Sequence, residues 1–501
     1  MLLSQQAKAL AACNALQATL PGQVYWSGSD EYSASSTTAI WSTSCHLSPE
    51  CVFQPLTVED LSNGIRAIKE HGSLFAVRSG GHMPNPGAQS VDHGVMISMS
   101  NFNTKSLNAD KSIASIGPGQ LWAEVYNWLA AYGLAVNGGR YPTVGVGGVL
   151  LGGGMGYFSG ARGWSIDDIV GWELVLGDGS IIEVTTAADD PHADLAWALK
   201  GGHNNFGVVT RFDMRTFEVG GAYGGLVVYN GEAEKGFFNA LVDYMAPGGG
   251  SDDPKSAINA VSTLTLVDGN WQYGFFNVYM YAEENPQPRA IENFTSIPKE
   301  HIVLDATDLH SSWAAIPNSM AAVGAHGLRQ LFWAMTLKAD HRVIAITNET
   351  FYSGASNEVK DVEGLSMIIS YQSLTRVWLQ ASKEKGGNLM GLEPEKDGGS
   401  FATILIMMWK HAADDEPVLA FVRKAAEEIE TKTAKLGLFN PYIYLNDAAS
   451  GQKPFDSYAG GVHLPKLRNI QAKYDPDGYI RDYLQHGFAL GAEDHGHSDE
   501  L

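Results

Sequence analysis

The spacing of apolar and polar positions changes along the chain and predicts two textures. In "TVEDLSNGIRAIKEHG" the apolar residues follow Thr57 at helical intervals, with Glu59 and Asp60 in the first turn, where the helix dipole favours acids. "SLFAVRS" is a short unbroken apolar run and predicts a buried strand. "QLWAEVYNWLAAYG" returns to helical spacing and stops at Gly133. "WELVLGDGSIIEV" predicts two strands around the turn Gly177-Asp178-Gly179. From about Val219 the pattern differs: "GGLVVYN", "QYGFFNVYMYAEE", "SMIISYQSL" and "GSFATILIMMWKH" alternate bulky residues as an antiparallel sheet does. Helices intervene, among them "EPVLAFVRKAAEEIETKTAKLG", which stops at Gly437. The stretch beginning "YAGGVHLPKLRNIQAKYDPDGYI" reads as a return helix and tail. Strand parity alone leaves open which face of the sheet Tyr279, Tyr371 and Trp409 take.

Composition narrows the class. At 501 residues the chain exceeds one ordinary core, and 45% hydrophobic with 18% charged residues describes a folded globular protein. A formal charge of −22 argues against a nucleic acid or an anionic membrane surface as partner. No apolar run approaches the roughly 20 residues that span a bilayer. Three cysteines, Cys13, Cys45 and Cys51, lie near the start without a CxxC pair, so no metal site is expected. One disulfide, Cys13–Cys51, with Cys45 free, is the preferred pairing, although spacing does not fix connectivity. The sequons at Asn293 and Asn348 and a closing "HSDEL" resembling an ER-retention tail fit the secretory route, as a glycoprotein of the ER lumen or a secreted one. The opening "MLLSQQAKALAAC" shows no basic n-region and no proper h-region, which leaves the cytoplasm open.

The chemistry concentrates in glycine-rich turns. "NGGRYPTVGVGGVLLGGGMGYFSG" spans 137–160, "RSGGH" ends at His82, and "KGGHNNFGVVTRF" starts at Lys200. Glycine at this density implies backbone approaching something closely, and bare amides in such turns cradle anions. No window meets the dinucleotide fingerprint G-x-G-x-x-G between a strand and a helix, no Gly-Lys-[Ser/Thr] follows, and G-x-S-x-G is absent. One long cofactor threaded past all three turns accounts for them better than three unrelated turns.

"RSGGHMPNPG", "GGRYPTVGVGGVLLGGGMGYFSGARGWSIDDIV", "LVLGDGSI" and "ALKGGHNNFGVVTRF", with "YIYLNDAASG" near the end, resemble in order and spacing the berberine-bridge-enzyme-like FAD oxidases. These belong to the vanillyl-alcohol-oxidase (PCMH-type) flavoprotein superfamily, and the likeness to fungal members covers nearly the whole chain. The resemblance implies an α+β fold. A two-part FAD-binding domain would occupy 1–216, and a substrate-binding domain, with an antiparallel sheet covered by helices, 217–455. A segment over 456–501 would return to the first domain.

For the cofactor, the resemblance implies FAD bonded covalently through His82. Arg78, Ser79, Gly80 and Gly81 would form a diphosphate loop, and Gly145, Gly147, Gly148 and Gly154 would lie with Thr143 along the cofactor. Asn205, Gly207 and Val209 would lie near the adenosine half. Tyr141 stands where many relatives carry a cysteine that makes a second bond, so a single linkage and a more enclosed pocket are expected. Val144 occupies the position associated with oxygen access.

For the base, the resemblance points to Tyr444 with Asn446 beside it. Asp447 replaces a tyrosine of many fungal relatives and either assists or is a loop residue. The expected activity is hydride transfer from a small secondary metabolite to FAD, reoxidised by O2 to give hydrogen peroxide. A carbohydrate oxidase of the same fold, a flavin-scaffolded isomerase or cyclase without net redox, and an idle binding protein are the alternatives. The substrate and the oligomeric state stay open.

Overall fold

The computed structural model describes residues 4–491 apart from 268, 323–325 and 486, so the "HSDEL" tail lies outside the described residues. The helix Gln5–Thr19 starts at Ser4, whose Oγ accepts the Ala7 N–H at 3.2 Å. It packs on the helix Val58–His71 and is tied to the strand Cys51–Phe53 by the expected disulfide Cys13–Cys51. Val58–His71 forms as its pattern predicts. The Thr57 hydroxyl accepts from the Asp60 N–H, the Asp60 carboxylate accepts from the Thr57 N–H, and Gly72 closes the end at φ 61°.

Among the described residues the first sheet has the order Val24–Trp26, Cys51–Phe53, Val95–Ser98, Phe75–Arg78, Leu484–Gln485. All but the first strand run parallel, and the last comes from the far end of the chain. The loop Ser79–His82 leaves the carboxyl end of Phe75–Arg78, the edge at which parallel sheets present ligand sites. A second, antiparallel sheet is built from Lys105–Leu107, Ile113–Ile116, Val208–Arg215, Ile169–Val175 and Ile181–Thr185, the last two being the predicted hairpin.

The third sheet is antiparallel, with nine strands among the described residues. It contains the four strands predicted from alternation and two long ones that the alternation did not reveal, Ser256–Val267 and Arg329–Lys338. One face is covered by helices, including Glu234–Met245 and Asp415–Lys435, and there Tyr279, Tyr371 and Trp409 are buried. These aromatics are therefore core residues of the helical side, and none faces the cavity described below. The opposite face carries Phe276, Val261, Ser370 and Ile404 across one row of the register, and Ile368, Ile406 and Phe332 across another. No helix among the described residues is long and apolar enough to cross a membrane.

The Asn293 side chain is exposed. The Asn348 amide is engaged instead: it donates to the Tyr273 hydroxyl at 3.1 Å and accepts from the Tyr371 hydroxyl at 3.2 Å. The second sequon is thus part of the fold's packing.

Candidate active site

A cavity of about 450 Å³ lies where the glycine turns meet the bare face of the large sheet. Its wall contains Ser79, Gly80, Gly81 and His82 from the first loop, and Tyr141, Thr143, Val144, Gly145, Gly147 and Gly148 from the second. Gly207 and Val209 come from the third, and Tyr444, Asn446 and Asp447 complete the wall. Three residues expected here are placed elsewhere. Arg78 is buried behind the loop, donating to the Ser79 carbonyl and the Ser98 hydroxyl. Asn205 holds the returning segment: its amide donates to the Phe488 carbonyl and its oxygen accepts the Leu490 N–H. Gly154 lies beneath Tyr444, with its N–H donating to the phenol oxygen at 2.9 Å.

The glycines divide by role. A Cβ on Gly80 would come within 2.4 Å of the Gly145 nitrogen, and the reverse substitution meets Gly80 equally closely, so this pair permits two loops to touch. Gly148 has nothing within 4 Å of where its Cβ would be, and it opens onto the cavity. His82 stacks on Trp41 with ring centroids 4.4 Å apart and planes 15° from parallel. Burial, and secondarily the nearby His326, lower its pKa to about 4, which keeps the imidazole neutral at physiological pH. The free Cys45 is buried outside the cavity wall, with its thiol pushed up to about 12 chiefly by burial.

The polar end combines two chain segments. The Tyr444 oxygen accepts from the Gly154 N–H and from the Asn446 amide at 3.0 Å, and the same amide donates to the Val149 carbonyl. Tyr444 and Asn446 thereby clasp the short helix Val146–Gly152. Burial first, then the charge of Asp447, drive the Tyr444 phenol well above its ordinary range. Asp447 behaves differently. Burial raises its carboxyl from 3.8 to about 6, partly offset by the Gln372 hydrogen bond and the charge of Arg140. Gln372 donates to Asp447 at 2.5 Å while its oxygen accepts from the Arg140 guanidinium. Arg140 also donates to Asn259 at 3.3 Å, and Asn259 donates to the Tyr141 hydroxyl at 3.2 Å. Of these, sequence reasoning missed Arg140, Gln372, Asn259 and Trp41. For Gln372 the available signal was polarity at Ser370 and Gln372, two successive same-face positions of a largely apolar strand.

The cavity is thus walled by glycine-rich loops between two small sheets and a large antiparallel one, with a neutral histidine at the end of the first loop. A family profile described as an FAD binding domain matches residues 49–185. FAD-dependent monooxygenase prx3 of Penicillium roqueforti is 35% identical over 96% of this chain and 93% of its own length. The bifunctional solanapyrone synthase of Alternaria solani is 31% identical over 96% and 89%. In fold, the chain is similar to 6-hydroxy-D-nicotine oxidase of Arthrobacter nicotinovorans, with a TM-score of 0.74 and 19% identity over 94% of this chain and 98% of that one. It is also similar to xylooligosaccharide oxidase of Myceliophthora thermophila C1, with a TM-score of 0.73 and 20% identity over 96% and 100%. The chain belongs to the berberine-bridge-enzyme-like, PCMH-type family of FAD-dependent oxidoreductases.

The residues present fit FAD. The open face at Gly148 leaves room beside backbone, the loops bring amides rather than bulky side chains to the wall, and the Trp41 Nε1, buried at the cavity, has no hydrogen-bond partner among the described residues.

Proposed function

We propose that the protein is an FAD-dependent oxidase of a small, largely apolar organic molecule, in which Asp447 accepts the substrate proton. One observation carries the reading: a single cavity joins the glycine loops and neutral His82 to a carboxylate raised to about 6. When bound, FAD would supply the two-electron acceptor for hydride from the substrate, with dioxygen as the final acceptor.

The chain's own residues divide the remaining work. Tyr444 stays protonated at neutral pH and so is not the base, and with Asn446 it positions the helix Val146–Gly152, whose residues line the cavity. Asp447, ionised above about pH 6, is the better acceptor. The sheet wall of Val261, Phe276, Ile368, Ile404, Ile406 and Met408 gives apolar contact and little to hydrogen-bond sugar hydroxyls, which favours a secondary metabolite over an oligosaccharide. His82 supports a single covalent linkage. Lining the cavity as a neutral imidazole, His82 would hold FAD through one bond from a ring nitrogen, with dioxygen as the oxidant for the two hydrogens lost in forming it. Tyr141 offers no thiol for a second bond, and Cys45 lies outside the wall.

Acid precipitation followed by intact-mass analysis tests the cofactor assignment. The expected result is yellow colour in the pellet and one FAD of added mass, lost in His82→Ala. Flavin that washes out of the wild type refutes the linkage, and a protein that never holds flavin refutes the whole reading. Anaerobic bleaching of the flavin by substrate separates oxidation from a non-redox cyclisation.

A further inference from the structure

Arg140 is a half-buried cation in a cavity wall that is otherwise mostly apolar or backbone. Among the described residues it makes no ion pair. Its partners are two neutral amide oxygens, those of Asn259 and Gln372, each on a side chain almost fully buried in the large sheet. A guanidinium carries five donors, so two such acceptors leave part of its fork uncommitted. The carboxylate nearest in the network, Asp447, is not a direct partner. Gln372 stands between them and orients both, accepting from the cation and donating to the anion. All three groups belong to the same wall. Structural ion pairs are made by direct contact, as Arg162 with the buried Asp168 at 2.6 Å elsewhere in this chain. Holding a cation and a carboxylate apart on one buried amide keeps both available to a third group.

We propose that the substrate is an enolisable carbonyl compound whose carbonyl oxygen sits on Arg140 while its acidic hydrogen faces Asp447. This rests on the reading of Asp447 as proton acceptor and narrows the substrate class of that site. The step balances within the site: the C–H bond breaks, the proton passes to an Asp447 oxygen, and the electron pair stays on the substrate as an enolate whose oxygen lies against the guanidinium. Charge-assisted hydrogen bonds from a fixed cation strengthen as that oxygen becomes anionic, so Arg140 favours the enolate over the ketone.

Isothermal calorimetry on the purified protein at pH 8 tests this without turnover. The probes are 1,3-cyclohexanedione, which is an enolate there, and its neutral analogue 3-methoxycyclohex-2-enone. The enolate is expected to bind the wild type at least about tenfold more tightly than the ether. Arg140→Gln abolishes that preference at unchanged FAD content, and Arg140→Lys retains part of it. Asp447→Asn strengthens enolate binding, because a facing negative charge has been removed. Equal binding of the two probes, no binding of either, or a preference that survives Arg140→Gln overturns the proposal. Loss of FAD from both Arg140 variants also overturns it by assigning the guanidinium to the cofactor. Absorbance of the same samples reports flavin content, so failure of the oxidase reading is seen separately.

Discussion

Replacing Asp447 by asparagine tests the polar end of the cavity without knowledge of the substrate. The carboxyl is raised from 3.8 to about 6, with burial the largest cause. At about 1.4 kcal/mol per pH unit, ionised Asp447 costs the folded state about 3 kcal/mol. The folded pKa lies above the unfolded one, so the folded chain holds this proton more tightly. The penalty is therefore absent below about pH 4, grows between about pH 4 and 6, and is complete above. Asparagine keeps an oxygen for the Gln372 N–H and carries no charge. Asp447→Asn should then be more stable than wild type at pH 7.5 by up to about 3 kcal/mol, a few degrees in thermal midpoint, and the difference should vanish near pH 4. Activity should move the other way. Loss of the proton acceptor lowers kcat about 10²–10⁴-fold on any substrate found, and wild-type kcat/KM declines as pH falls through about 6. Circular-dichroism melts of both proteins from pH 4 to 8, at matched flavin content, read the stability arm. A variant less stable than wild type at pH 7.5, or a difference independent of pH, would refute the reasoning.

The two kinds of glycine should separate experimentally. Gly80→Ala forces a Cβ against the Gly145 backbone and should lower stability by about 1–3 kcal/mol, whereas Gly148→Ala should melt normally but retain less FAD by absorbance. Opening the Cys13–Cys51 bond, which closes 38 residues of separation, should cost about 4 kcal/mol, read as a lower melting midpoint for Cys51→Ala. In a host that glycosylates the chain, peptide mass analysis should find any glycan at exposed Asn293 and none at Asn348, whose amide is held between Tyr273 and Tyr371.

Local chemistry was readable wherever one stretch of sequence carried the whole signal. The helix after Thr57, the hairpin at Gly177-Asp178-Gly179 and the strand before Ser79 all formed as their periods and caps required. The strand Ser256–Val267 escaped because serine, threonine and asparagine interrupt its alternation. Those residues are polar for packing reasons: Ser262 meets the Tyr352 hydroxyl at 2.8 Å, and Asn259 belongs to the cavity network. Glycine density marked the loops that line the cavity, but it could not distinguish a glycine that lets two loops touch from one that opens space. That difference is set by what lies across the gap, dozens of residues away in sequence.

The same limit explains why the roles proposed here for Tyr444 and Asp447 differ from those the resemblance implies. Resemblance assigns the tyrosine of "YLN" as base, and its sequence neighbours give no reason to prefer the aspartate. What decides is the third dimension. The tyrosine oxygen is spent on the Gly154 N–H and the Asn446 amide, so it braces the helix Val146–Gly152 and stays protonated. The aspartate, three residues on, meets Gln372 from the large sheet, and through it Arg140 from the glycine-rich block. Those three residues are 75 and 232 positions apart along the chain, and only the meeting of sheet and loops makes them one device. A carboxylate poised near neutrality, next to but not paired with a fixed cation, is costly to keep in a core. Under the proposed function, its place in the cavity wall is explained by the proton it would accept there.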